Sequence, residues 1–239
     1  MTALSLCIIE NGLVPDDLKP QFGSYPDMIR QWLAPSLPEA SFAECSPVSG
    51  EAMPAADAYD GYLLTGSRHS SYEDGDWIRD IRQFLRQAID LKRPVFGICF
   101  GHQVMADAFG GQTSKATNGW GIGAQQYTSP FGETDDKAGC YVFHQDQVTS
   151  VPPEARVIGG SNHCPNGILE YSFPALSVQF HPEFSADYVT ALAHKYSGSV
   201  LTENTSENAI ASLQDIPVDN TPLAQHVADF FRQYARPST

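Results

Sequence analysis

The chain has 239 residues, 42% of them hydrophobic, enough to bury one large α/β core. Its formal charge of −14, from 28 acidic against 14 basic residues, argues against nucleic acid or an anionic membrane as partner and reads as solubility. No apolar run is long enough for a transmembrane helix, and Met1-Thr-Ala-Leu-Ser5 lacks the basic and apolar regions of a signal peptide, so a cytoplasmic location is expected.

Residues 4–9 predict a first strand, ending at Glu10-Asn11-Gly12. A loop rich in Pro, Asp and Gly follows over 13–25, then a short helix over 26–33 and a second strand over 41–45. Residues 59–65 predict a further strand, leading into Thr65-Gly66-Ser67. Asp76 reads as a helix N-cap, and Trp77, Ile81, Phe84, Leu85 and Ala88 recur at helical spacing up to residue 91. Strand and helix alternate here, which predicts a parallel sheet with helices on both faces. Residues 112–180 change texture, with candidate strands at 123–127, 140–143, 155–159, 167–171 and 176–180. These predict antiparallel additions to the sheet. Ser185 reads as the cap of a helix carrying Tyr188, Val189, Leu192 and Tyr196. Residues 197–220 are polar and lack periodicity, which predicts a long surface loop. Thr221-Pro222 then opens a final helix striped by Leu223, Val227, Phe230, Phe231 and Tyr234.

Two segments carry chemistry. In the first, Pro94 leads a short apolar strand, Val95, Phe96 and Ile98, and a helix is predicted over 104–109. Between them lies Gly97-x-Cys99-x-Gly101, the form of a nucleophile elbow. Small residues two before and two after the cysteine allow a sharp strand-to-helix turn. The helix N-terminus behind the sulfur favours thiolate over thiol. The five cysteines, Cys7, Cys45, Cys99, Cys140 and Cys164, are scattered and odd in number, which suits free thiols in a reducing compartment. In the second segment, His181 closes an apolar run within Gln179-Phe-His-Pro-Glu-Phe184. A strand end of this kind is where α/β sites gather, and Glu183 can hold one tautomer of the ring.

Gly97-x-Cys-x-Gly-His-Gln103 followed by Phe180-His-Pro-Glu183 resembles the class I, triad-type glutamine amidotransferases, with the amidotransferase domain of guanosine monophosphate synthetase nearest in texture. The resemblance runs from Leu4 to about His194. It implies a flavodoxin-like, doubly wound, mainly parallel sheet with an antiparallel extension, and one such domain over residues 1–239. It also implies Cys99 as nucleophile, His181 as base and Glu183 as its orienting carboxylate. The family's Gly-Gly-Pro turn corresponds to Thr65-Gly66-Ser67-Arg68-His69-Ser70. Gly66 is kept, while Ser67 and Arg68 replace the second glycine and the proline. Backbone N–H groups of Gly66 or Ser67 and of Phe100 are implied as the oxyanion hole. Gln103 matches a substrate-contacting glutamine. Phe143-His144-Gln145-Asp146 matches a Ser-His-Gly-Asp segment that contacts the amino-acid end of the substrate, with Gln145 in place of glycine.

Of the remaining histidines, His102 reads as packing at the start of the elbow helix, and His163 with Cys164 is not a zinc site. His69 sits on the altered rim, within reach of a leaving group. The implied reaction is cysteine-dependent hydrolysis of a γ-glutamyl amide through a thioester, with no metal or organic cofactor. No P-loop is present to activate an ammonia acceptor. Three readings follow: a free-standing hydrolase of γ-glutamyl amides or peptides, a glutaminase subunit feeding a separate synthase, and a non-catalytic regulatory or binding module. The polar rim Arg68-His69-Ser70-Ser71-Tyr72-Glu73-Asp74 favours the first, because charge is depleted at interface cores. Arg68 is also suited to meet a carboxylate on a larger leaving group.

Overall fold

The computed structural model describes residues 3–131 and 137–235. A seven-stranded sheet organises the chain. Its strands are β1 (Leu4–Ile9), β2 (Ala40–Cys45), β3 (Gly61–Leu64), β4 (Val95–Ile98), β9 (Ala155–Gly159), β10 (Ile168–Tyr171) and β11 (Ala175–Val178). The order is β2-β1-β3-β4-β11-β10-β9. Pairing is parallel from β2 through β11 and antiparallel for β11-β10 and β10-β9. This is a flavodoxin-like sheet with an antiparallel extension.

Strands β3, β4 and β11 are buried at every position. Parallel strands covered on both faces must be apolar throughout, which is why they read as short continuous runs. One face packs on α2 (Tyr25–Leu33) and α7 (Thr221–Tyr234), through Leu6, Ile8, Leu63 and Phe96 of the sheet. The other packs on α3 (Asp76–Asp90) and α4 (Phe100–Ala108), through Cys7, Ile9, Tyr62, Leu64 and Val95. Residues alternate between the two faces along each strand, as the pleat requires. Helix α2 opens with a capping box between Ser24 and Asp27. Helix α3 buries Ile81, Phe84, Leu85 and Ala88 of the predicted stripe, with Ile78 fully buried where Trp77 was expected and Trp77 only half-buried; its N-cap is Gly75, so Asp76 is the first helical residue instead of the cap.

Three further expectations are corrected. The loop over 13–25 contains one helical turn, α1 (Lys19–Phe22). Not all of 112–180 joins the main sheet. β5 (Gln112–Lys115) pairs with β8 (Asp146–Ser150), and β6 (Gly121–Thr128) with β7 (Lys137–His144), as two antiparallel ribbons, while β11 enters the main sheet as a parallel strand. The polar stretch 197–220 holds a 13-residue helix, α6 (Glu203–Asp215), capped by the Thr202 side chain. It follows α5 (Ala186–Tyr196), whose N-cap is Ser185 as expected. Helix α6 shows no apolar stripe because small residues, Ser206 and Ala209, form its buried side. No helix among the described residues is long and apolar enough to cross a membrane.

Candidate active site

The C-terminal ends of β3, β4 and β11 converge on Cys99. Open α/β sheets place their ligands outside these strand ends. Cys99 is the N-cap of α4, with φ 51° and ψ −102°. Among the described residues only Lys92 shares a positive φ without being glycine. Such a conformation costs about 1–3 kcal/mol and persists only where its surroundings enforce it. Here the enforcement comes from close packing. A methyl at Gly97 would lie 2.7 Å from the Gly101 carbonyl carbon, and one at Gly101 would lie 2.7 Å from the Leu64 oxygen. The two small residues of the elbow are therefore contact points between β4, α4 and β3.

His181 follows β11 by three residues. Its N–H donates to the Tyr141 carbonyl at 2.8 Å, tying the segment to β7. Its Nδ1 lies 2.8 Å from Glu183 Oε1. A carboxylate only accepts, so Nδ1 carries the proton and the opposite ring edge is left for Cys99. Phe184 stacks on the imidazole, with centroids 3.9 Å apart and planes at 8°. His181, Glu183 and Cys99 are all buried. Burial alone would lower the His181 pKa. The Glu183 carboxylate, the Cys99 sulfur and hydrogen bonds to both outweigh it and raise the ring to about 10. The other cysteines are poor candidates: burial pushes Cys7 and Cys164 up to about 12 and raises Cys45 and Cys140 as well.

Gly66 lies against the pair. A methyl there would stand 2.7 Å from His181 Cε1 and 3.5 Å from Cys99 Cβ. Asn11, which the sequence marked only as a strand end, fixes this turn. Its N–H donates to Thr65 Oγ1 at 2.8 Å and its side-chain amide to the Thr65 carbonyl at 2.9 Å. Gly12 lets the two backbones meet, since a methyl on it would lie 2.6 Å from Ser67 Cα. Phe100 is the first residue of α4, where amide N–H groups have no helical acceptor.

Gln103 is buried, and its amide donates to the Asp146 carbonyl at 2.9 Å and to Gln179 Oε1 at 3.1 Å. His144 Nδ1 stands 3.2 Å from the same Asp146 carbonyl. These two side chains thus brace the turn at Gln145 between β7 and β8. Burial, with His163 and His181 nearby, pushes His144 down to about 3. His102 packs against Ser177 Oγ at 2.8 Å, and burial pushes it to about 3. On the rim, His69 Nδ1 is held by Glu73 at 2.9 Å, and Tyr72 donates to Asp146 Oδ1 at 3.1 Å. Arg68 is exposed.

A cleft of about 480 Å³ opens over Cys99 and His181, bordered by Ser67, Arg68, His69 and residues 143–146. Trp120 and Tyr196 also line it. The sequence marked Tyr196 only as a helix residue and Trp120 not at all, because nothing local links residue 120 or 196 to residue 99. The arrangement brings the Cys99 sulfur, a buried imidazole with its carboxylate, and the first turn of α4 to one open space.

The family model for glutamine amidotransferase class-I matches residues 42–190. The chain is similar to gamma-glutamyl peptidase 3 of Arabidopsis thaliana, 27% identical over 158 residues; the match spans 62% of this chain and 64% of that one. It is also 31% identical over 134 residues to a GMP synthase (glutamine-hydrolyzing) of Streptococcus uberis, covering 52% of this chain but 24% of the synthase. A glutamine amidotransferase structure from Methylobacillus flagellatus superposes with a TM-score of 0.76 at 18% identity, over 99% of this chain and 96% of that one. That likeness confirms the fold, and the family-model match over most of the chain settles the affiliation: the chain belongs to the class I glutamine amidotransferases.

Proposed function

We propose that the protein hydrolyses γ-glutamyl amide bonds, with Cys99, His181 and Glu183 as its catalytic triad. The observation that carries this is the strained Cys99 at a helix N-terminus, facing a buried imidazole already oriented by Glu183. The Cys99 thiolate attacks the γ-carbonyl, forming an S–C bond. The backbone N–H groups of Phe100 and of the Gly66-Ser67 turn meet the developing oxyanion. As the C–N bond breaks, His181 gives its proton to the departing nitrogen. Water, deprotonated by His181, then cleaves the γ-glutamyl thioester to free glutamate and the thiolate. Gln103, His144, Gln145 and Asp146 form the side of the cleft that takes the glutamyl α-amino and α-carboxylate groups. This chemistry needs no metal or organic cofactor.

The reading extends to one amidotransferase-type domain over residues 1–239, free-standing in a reducing cytoplasm. The five free, buried thiols support that compartment. The polar rim around Arg68 and Tyr72 supports autonomy over docking on a synthase. Purified protein alone is expected to release glutamate from glutamine or γ-glutamyl dipeptides. A glutamine-like electrophile is expected to label Cys99 stoichiometrically, with protection by substrate. Inertness on both substrate types, reversed by adding a synthase, decides for the ammonia-supplying subunit. Equal labelling of all five thiols removes the triad assignment.

A further inference from the structure

The cleft over Cys99 is larger, and differently lined, than release of ammonia requires. Its volume of about 480 Å³ lies in the range of about 300–1,000 Å³ that encloses drug-sized ligands. The groups assigned above to the glutamyl end account for one part of the lining. Another part is aromatic. Trp120 meets Phe143 edge to face at 5.8 Å, and Phe143 meets Tyr196 at 5.9 Å. These three rings come from the loop before β6, from β7 and from α5, and form one continuous wall on the cleft. Trp120 and Tyr196 remain only half-buried, so apolar surface faces open space.

The wall is accompanied by positive charge. Lys115 ends β5, directly across the ladder from Asp146, and borders the cleft together with Arg68. Both side chains are exposed. Neither forms an ion pair within 4 Å with a described carboxylate, whereas Arg30, Arg79, Arg82, Arg156, Lys195 and Arg232 all do. Asp146 borders the same cleft and Glu73 lies near Arg68, so the two cations offer discrete charge-assisted contacts to an anion rather than a net positive field.

We infer that this cleft binds the amine half of the substrate, and that this half combines an aromatic or bulky apolar body with a free carboxylate. The body lies along Trp120 and Tyr196, and the carboxylate meets Lys115 and Arg68. The glutamyl half is taken from the hydrolase reading above, on which the inference rests. Glutamine, which releases only ammonia, leaves the wall and both cations unused. Binding energy from such remote groups is what raises reactivity at the scissile bond.

The test compares γ-glutamyl-phenylalanine, γ-glutamyl-glycine and γ-glutamyl-phenylalaninamide, by kcat/KM for the wild type and by calorimetric Kd for Cys99→Ala. The first compound is expected to surpass each of the others by roughly tenfold, the factor given by one charge-assisted contact or a buried ring. Lys115→Met is expected to collapse the acid-over-amide ratio, and Trp120→Ala the phenylalanine-over-glycine ratio. Each ratio is internal to one variant, so partial loss of fold does not imitate the result. Hydrolysis of all three compounds at similar rates, with ratios unmoved by either substitution, overturns the inference and leaves the hydrolase reading standing. Preferential binding to Cys99→Ala without wild-type turnover supports the subsite and removes the hydrolase reading. Binding without preference overturns the inference whatever the activity.

Discussion

At the scale of single residues, the proposed mechanism separates two tasks. In it Cys99 makes and breaks the bond to substrate and His181 moves protons, while Glu183, 2.8 Å from the His181 ring, acts through that ring. Removing the base is therefore expected to cost more than removing its carboxylate. His181→Ala is expected to slow single-turnover thioester formation by about 10²–10⁴-fold, and Glu183→Gln by less. The second variant carries a further signature. The carboxylate is the leading support of the raised His181 pKa, so its loss lets burial pull the ring down. The pH profile of acylation in Glu183→Gln is expected to shift toward lower pH. A rate and profile equal to wild type assign Glu183 to structure alone. That Cys99, His181 and Glu183 come together was legible in the sequence because each motif is local: glycines two either side of Cys99, and Glu183 two residues after His181. Asn11, Lys115, Trp120 and Tyr196 were not, because only the tertiary fold carries them to the cleft.

At the scale of elements, legibility followed the size of the buried side chains. Helices α3 and α7 bury large apolar residues at regular spacing and were anticipated from it. Helix α6 packs instead through close backbone approach. Gly123 of β6 has φ 93°, and a methyl on it would lie 2.6 Å from the Ala209 carbonyl oxygen. The Ser212 hydroxyl accepts from the Ala124 N–H at 2.9 Å and donates to the Ala209 carbonyl at 2.6 Å. Polar, small residues thus do the work that leucine does elsewhere, and hydrophobic periodicity cannot report it. Gly123→Ala combines a strained backbone with a steric clash. It is expected to destabilise the protein by about 2 kcal/mol or more, measured by urea unfolding. A change under about 0.5 kcal/mol, the usual size for an ordinary surface site, means that α6 does not rest on this strand. Strands β5 and β8 escaped the reading for a related reason. Gln-Thr-Ser-Lys and Asp-Gln-Val-Thr-Ser carry one large apolar residue between them, and their ribbon is held by its ladder and by the Gln103 and Asn166 amides.

At the scale of the whole molecule, buried histidines tie stability to pH. His102 and His144 stay neutral down to about 3, against an ordinary value of 6.5. Above 6.5 their contribution is fully present. Between 6.5 and about 3 the unfolded chain takes up protons that the native rings refuse, so stability falls with pH. The slope is about 1.4 kcal/mol per pH unit for each ring. His181 has the opposite sign: its raised value contributes fully below 6.5 and loses that contribution as pH rises through about 10. Unfolding free energy is therefore expected to drop between pH 7 and 5, and His102→Gln to flatten the drop by about one proton's worth. An unchanged slope in that variant places a proton on the native ring. The position of β11 bears on synthesis as well as chemistry. The elbow leaves the ribosome with its cysteine long before the strand that slots beside β4 and delivers His181. If Cys99 and His181 act as proposed, a nascent chain holds the cysteine without its imidazole until β11, the last strand in sequence, completes the sheet. The order of strands in the chain thus sets when the two side chains can first meet.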